Sequence, residues 1–168
     1  MVAVPEGKVT LADLQNLFDE NAIRGLIASY SDAVTHLDAT RAAAIFTEDG
    51  IVSVVGVETA GRATIEEGIG QSFAAFAMLQ LVAHGGMIAL NGDRATARWS
   101  VVEIGVRKGA QDLNVMLGRY EDQLVRTAEG WRCARRSYTL AGRSLIEAKK
   151  FQANPDFLTG LLVAAPDS

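Results

Sequence analysis

"LQLVAHGGMIALNGDRATARWSVVEIGV", residues 79–106, decides the fold of this chain. Two β-rich stretches are joined by Asn91, Gly92 and Asp93, a composition that marks a hairpin connection. "KGAQD" and "TAEG" punctuate the chain in the same way further on, so the pattern predicts four antiparallel strands over 79–90, 94–107, 113–127 and 131–142. Strands this long bend, and Gly85, Gly86, Gly105 and Gly118 are the candidate bend or bulge points. "TARWSVVEIGV" does not alternate cleanly and carries apolar residues on both faces. One face must pack on helices. The other then meets something else, and a second copy of the chain is the simplest candidate.

Upstream the periodicity is helical. Thr10 and Asp13 in "TLADLQNLF" make an N-cap for a short opening helix. "ENAIRGLIASYSDAVTHL" follows as the main helix, with Ile23, Leu26, Ile27, Tyr30, Ala33, Val34 and Leu37 in one apolar stripe. Asp38 can cap a helix over "ATRAAAIF", which stops at the turn "TEDG". "IVSVVGV" reads as a short strand, and Thr64 with Glu67 matches a capping box ahead of a third helix, "TIEEGIGQSFAAFAM". Helices first and strands afterwards is the order of an α+β fold. A length of 168 residues suits one domain, with a core over about 10–142. The extension 143–168 is irregular, with a candidate final helix at "PDFLTGLLV".

Composition narrows the function classes. A net charge of −4 and scattered lysines give no basic stripe for nucleic acid or anionic membranes. A single cysteine, Cys133, forms no internal disulfide and, with two histidines, leaves a structural zinc site without ligands. "MVAVPEGK" lacks the features of a secretory signal, and "FAAFAML" is far shorter than the ~20 residues of a membrane span. A cytoplasmic protein is the expectation.

The order helix, helix, strand, helix, then bent antiparallel sheet resembles the nuclear-transport-factor-2-like superfamily. More narrowly it resembles the SnoaL-like branch that includes scytalone dehydratase and hexachlorocyclohexane dehydrochlorinase. The stretches that carry the likeness are "AIRGLIASYSDAVTHLDATRAAAIFTEDG", His84 in its strand, "NGDRATARW" and "GRYEDQLVRTAEGWRCARR". The resemblance implies a cone-shaped α+β barrel, three N-terminal helices packed on a strongly bent sheet around an apolar pocket. It also implies a base on the first long strand, where His84 stands, oriented by an aspartate from the main helix. That aspartate position falls on Thr35, which cannot carry the charge that would raise histidine basicity. Asp38 is the substitute nearest the apolar stripe, unless it only caps the following helix.

Other residues join His84 as candidates. The resemblance puts Tyr120, eleven before Trp131, at the cavity, and matches Arg136, five after Trp131, to a cavity arginine. Arg136 would bind or stabilise an anionic oxygen, or else form an ion pair with Asp122 or Glu103. Alternation along the last strand puts Tyr138 on the face of Arg136 and Cys133 on the opposite one. Tyr30 lies on the helix stripe, and a buried phenol needs a partner that a substrate oxygen could supply. Trp99, Asn114 and Met116 would shape the pocket. Together these imply a lyase or isomerase that needs no cofactor or metal, acting on an apolar aromatic or cyclic molecule. His84 would move the proton in β-elimination, or in retro-aldol cleavage such as loss of formaldehyde. The rivals are an epoxide hydrolase or polyketide cyclase in the same pocket, and a binding module without chemistry. A homodimer or homotrimer on the outer sheet face is expected.

Overall fold

The computed structural model describes residues 9–110 and 112–147. One helix, α1 (Leu11–Thr35), replaces the expected short-plus-main pair. Thr10 and Asp13 do form a reciprocal capping box at its start. Nothing then breaks it, because Asp19, the residue between the two expected helices, is spent elsewhere. Its buried carboxylate accepts from both Nη atoms of Arg126 at 2.7 Å and from Trp131 Nε1 at 3.0 Å, pinning mid-helix to the sheet.

Asp38 caps the five-residue α2 (Ala39–Ala43) through Arg41 N at 3.0 Å. "TEDG" is not a turn but a bulged part of β1 (Phe46–Val54), whose register shifts between Phe46 and Ile51. "IVSVVGV" is likewise divided. Val55 (φ 51°) and Gly56 (φ 85°) turn the chain into β2 (Val57–Ala60), a two-residue hairpin with positive φ at both central positions. The third helix, α3 (Arg62–Phe73), starts after Gly61 without a side-chain cap, so the Thr64–Glu67 capping box does not form.

Four long strands follow: β3 (Phe76–Asn91), β4 (Arg94–Arg107), β5 (Asp112–Thr127) and β6 (Gly130–Glu147). Sheet order is β2-β1-β6-β5-β4-β3. Every pair is antiparallel except β1–β6, which is parallel, so the sheet is mixed and it is not closed. The fold is the α+β cone: α1 lies across β3, α3 against β1, and the concave face between them holds the core. β6 runs past the expected boundary at 142; the proposed final helix lies outside the described residues.

Two glycines explain how the sheet bends. β3 shifts register between His84 and Met87, and a Cβ on Gly86 would sit 1.9 Å from the Trp99 ring. The bare backbone is what admits the indole. At Gly118 a Cβ would lie 2.4 Å from the Tyr138 ring, so Tyr138 lies flat on β5.

Candidate active site

The concave face and the helices enclose a cavity of about 440 Å³. Its walls are mostly apolar: Val34 from α1, Ile65, Ile69 and Phe73 from α3, Phe76 and Leu79 from β3. Tyr30, Glu103, Asn114, Met116, Tyr120, Arg136 and Tyr138 supply its polar and shape-setting groups, with Arg107 and Arg143 completing it.

Arg136 is the centre of this set and is only 2% exposed. Its Nε and Nη2 donate to the two Asp122 oxygens at 2.7 and 2.8 Å, a bidentate pair buried on both sides. Trp99 Nε1 donates to the same carboxylate at 2.9 Å. The rings of Tyr30 and Tyr120 flank the guanidinium on two adjacent sides, each with its centroid 4.4 Å from Cζ, and meet each other edge to face with centroids 5.9 Å apart. Two phenol rings and a fork-shaped carboxylate leave the group one orientation. Among the described residues its third nitrogen, Nη1, has no hydrogen-bond partner, and neither has the Tyr138 hydroxyl. Buried donors are rarely left unused, and these two belong to residues of one cavity wall.

The electrostatics follow from burial and from these neighbours. Burial alone would depress Arg136, but the Asp122 carboxylate outweighs it and holds the guanidinium charged. Burial pushes the Tyr120 phenol well above its ordinary value, with the neighbouring Tyr30 adding to the rise. Burial also raises Tyr30, against the pull of the Arg136 charge and of a hydrogen bond with Tyr120. Tyr138 is raised by burial and by the Glu103 charge. Desolvation raises the Glu103 carboxyl above its ordinary value as well.

Several expected members lie elsewhere. His84 is exposed on the outer sheet face, opposite Ser100, and does not line the cavity. The cause is the period of the strand: Leu79 and Leu81 point inward and are buried, which sends His84 outward, and the bulge that could reverse the parity comes only after it. Asp38 is the cap of α2 and is no orienting acid. Thr35 Oγ1 donates to Ser31 O and accepts from Leu81 N and Gln80 Nε2, closing the joint between α1 and β3 away from the cavity. Trp99 stands one layer behind the wall, holding Asp122. Cys133 is interior with Phe46 and Ile65, not opposite Arg136, because β5–β6 shifts register between Gln123 and Leu124. Burial and the Asp122 charge push its thiol up, so it is no nucleophile.

Three cavity groups went unnoticed as such in the sequence: Glu103, Arg107 and Arg143. Glu103 had a signal. It shares parity with Trp99 and Val101, both buried, so an acid stands on the inward face of β4. Arg143 lay beyond the expected end of the last strand. Among the described residues no three His, Cys, Asp or Glu side chains group as metal ligands, and no helix is long and apolar enough to cross a membrane.

The comparisons with known proteins agree with this architecture. An NTF2-like protein with a cystatin-like fold from Novosphingobium aromaticivorans is 29% identical, with a TM-score of 0.71 over 88% of this chain and 100% of that one. A scytalone dehydratase-like protein from the same organism is 21% identical, with a TM-score of 0.72 over 77% of this chain and 88% of that one. A hexachlorocyclohexane dehydrochlorinase from Novosphingobium barchaimii is 14% identical, with a TM-score of 0.73 over 80% of this chain and 94% of that one. No curated protein matches the sequence. The profile of the SnoaL-like domain matches residues 15–137, most of the chain, and the protein belongs to that family.

Proposed function

We propose that the cavity is the active site of a cofactor-independent lyase or isomerase for an apolar aromatic or cyclic small molecule, with Glu103 in the role that His84 does not fill. The observation that carries this is the pair of unsatisfied donors, Arg136 Nη1 and the Tyr138 hydroxyl, on residues that line the same cavity as a desolvated carboxyl. Glu103 takes a proton from carbon next to a carbonyl, and the electron pair moves onto the carbonyl oxygen. Arg136 and Tyr138 receive that enolate, each such donor contributing on the order of 10²–10³ in rate. Collapse of the enolate expels a β-halide as the anion, or a β-hydroxyl as water once the proton held by Glu103 is delivered to it. In the retro-aldol direction Glu103 takes the hydroxyl proton and the carbon–carbon bond breaks. Tyr30 and Tyr120 bond to each other and keep the guanidinium in place. Membership of a family whose structural neighbours include dehydratase-like and dehydrochlorinase proteins supports the same class.

A second reading, epoxide hydrolysis, draws on the acids either side of that buried arginine: Asp122 bonded to it and Glu103 across the cavity. Both Asp122 oxygens are occupied by Arg136 and Trp99, which leaves a single acid for the work. The first reading fits better.

Proton exchange tests it without knowledge of the natural leaving group. With 2-tetralone as probe in D₂O, the protein should speed deuterium uptake at the acidic carbon. Glu103→Gln should lower that rate by about 10²–10⁴-fold, the usual worth of a positioned base. Binding of the ketone without exchange would instead identify a binding module. For assembly we propose a second copy on the outer face of β3–β5, where Val82, Val102 and Leu117 are adjacent in register and Val82 and Leu117 are exposed.

A further inference from the structure

We propose that the natural substrate is an anion: a ring compound whose carboxylate lies between Arg107 and Arg143 while its reacting end reaches Arg136. The inference deepens the proposed function and rests on its cavity assignment. Among the described residues three guanidinium groups line the cavity, Arg107, Arg136 and Arg143, against one carboxyl, Glu103. The charge of Arg136 is paired with that of Asp122. The other two are held by neutral partners. Arg143 Nε donates to the buried Asn114 Oδ1 at 2.5 Å, and the Arg107 guanidinium lies over the Phe76 ring at 5.1 Å. Asp112 and Glu147, at the same end of the sheet, do not line the cavity.

Position along the strands sets the geometry. Arg143 pairs with Met116 and Arg136 with Asp122, and Tyr120 stacks on Arg136. Met116 and Asp122 are six residues apart on β5, so the backbones of the two arginines are separated by about 20 Å at the usual rise and their long side chains reach into that interval. Both outer arginines are exposed residues, whereas Arg136 is buried, so the charge sits at the open end and the unused donors at the closed one. A molecule with a carboxylate at one end, one or two rings, and a reactive oxygen at the other spans that interval. Neutral partners hold two cations still without cancelling them, which is how a site preorganises for an anion.

Calorimetric titration with 2-naphthoate and with its neutral isostere 2-naphthamide is the test. The carboxylate should bind about tenfold tighter, as expected for a charge-assisted pair in a partly dry site. The ratio should shrink with added salt. In Arg107→Gln/Arg143→Gln the two affinities should converge while the circular dichroism spectrum stays that of the folded protein, with Tm lowered by no more than the loss of the Asn114 hydrogen bond and the Phe76 contact. Equal affinities in the wild type, absence of carboxylate binding at millimolar concentration, or a preference that survives the double substitution each overturn the inference. Exchange of 2-tetralone reads the base separately. A protein that prefers naphthoate but catalyses no exchange keeps the anion site and loses the enzyme.

Discussion

Asp122→Asn strands a cation in the interior. Both members of the Asp122–Arg136 pair are 2% exposed at the side chain, and the carboxylate takes two of the guanidinium's nitrogens. Asparagine keeps the shape and one acceptor for Trp99, but it removes the charge. Breaking a buried pair from one side costs about 3–5 kcal/mol, because the remaining ion is neither solvated nor matched. That is a large part of the ~5–15 kcal/mol that holds a domain folded. For a chain of this size each kcal/mol moves Tm by roughly 2–4 °C, so the variant should melt about 6–20 °C lower. Differential scanning calorimetry at neutral pH reads this, and the loss should persist at high salt because buried charges are little screened. The double variant Asp122→Leu/Arg136→Met removes both charges and should recover most of the stability. A single variant that melts within about 3 °C of the wild type, or a double variant no better than the single, would refute the reasoning.

Four further outcomes follow from the same geometry. The Glu103 carboxyl titrates higher in the folded chain than in the unfolded one, whose ordinary value is 4.5. Stability therefore falls as pH rises from the unfolded value through the folded one and is level above; the Tm advantage of Glu103→Gln should grow across that window, and a constant difference would deny the desolvation. His84→Ala should change stability by less than about 0.5 kcal/mol and leave ligand titrations unaltered, because the ring is on the outer face. Gly86→Ala must displace the Trp99 indole and should cost about 1–3 kcal/mol in urea unfolding. Tyr138→Phe removes a hydroxyl that bonds to nothing, so Tm should hold or rise while exchange of 2-tetralone slows.

Much of the fold was legible because periodicity and turn chemistry are local. "NGD", "KGAQD" and "TAEG" sit between the four long strands, and the apolar stripe from Ile23 to Val34 is the buried face of α1. The short elements were less so. "TEDG" looks like a turn until the parallel pairing with β6 makes it a bulge, and Val55 at positive φ is not something a β-branched residue announces. The site shows the same division. Tyr30, Tyr120, Tyr138 and Arg136 converge where expected, since each lies on a periodic inward face. His84 failed by a single residue of register: family resemblance pointed to its strand, but only pairing decides which side of a bulge it occupies. Glu103 stands in the sequence only as a possible ion-pair partner of Arg136, one charge in a stretch that is apolar on both faces.

A crystal structure with a bound phenolic or enolate-like aromatic tests the central claim most directly. The ligand's oxygen should lie within hydrogen-bond distance of Arg136 Nη1 and the Tyr138 hydroxyl, its ring against Phe73 and Phe76 and its carbon skeleton facing Glu103. A ligand seated instead on the outer sheet face beside His84, or a cavity into which none enters, would contradict it.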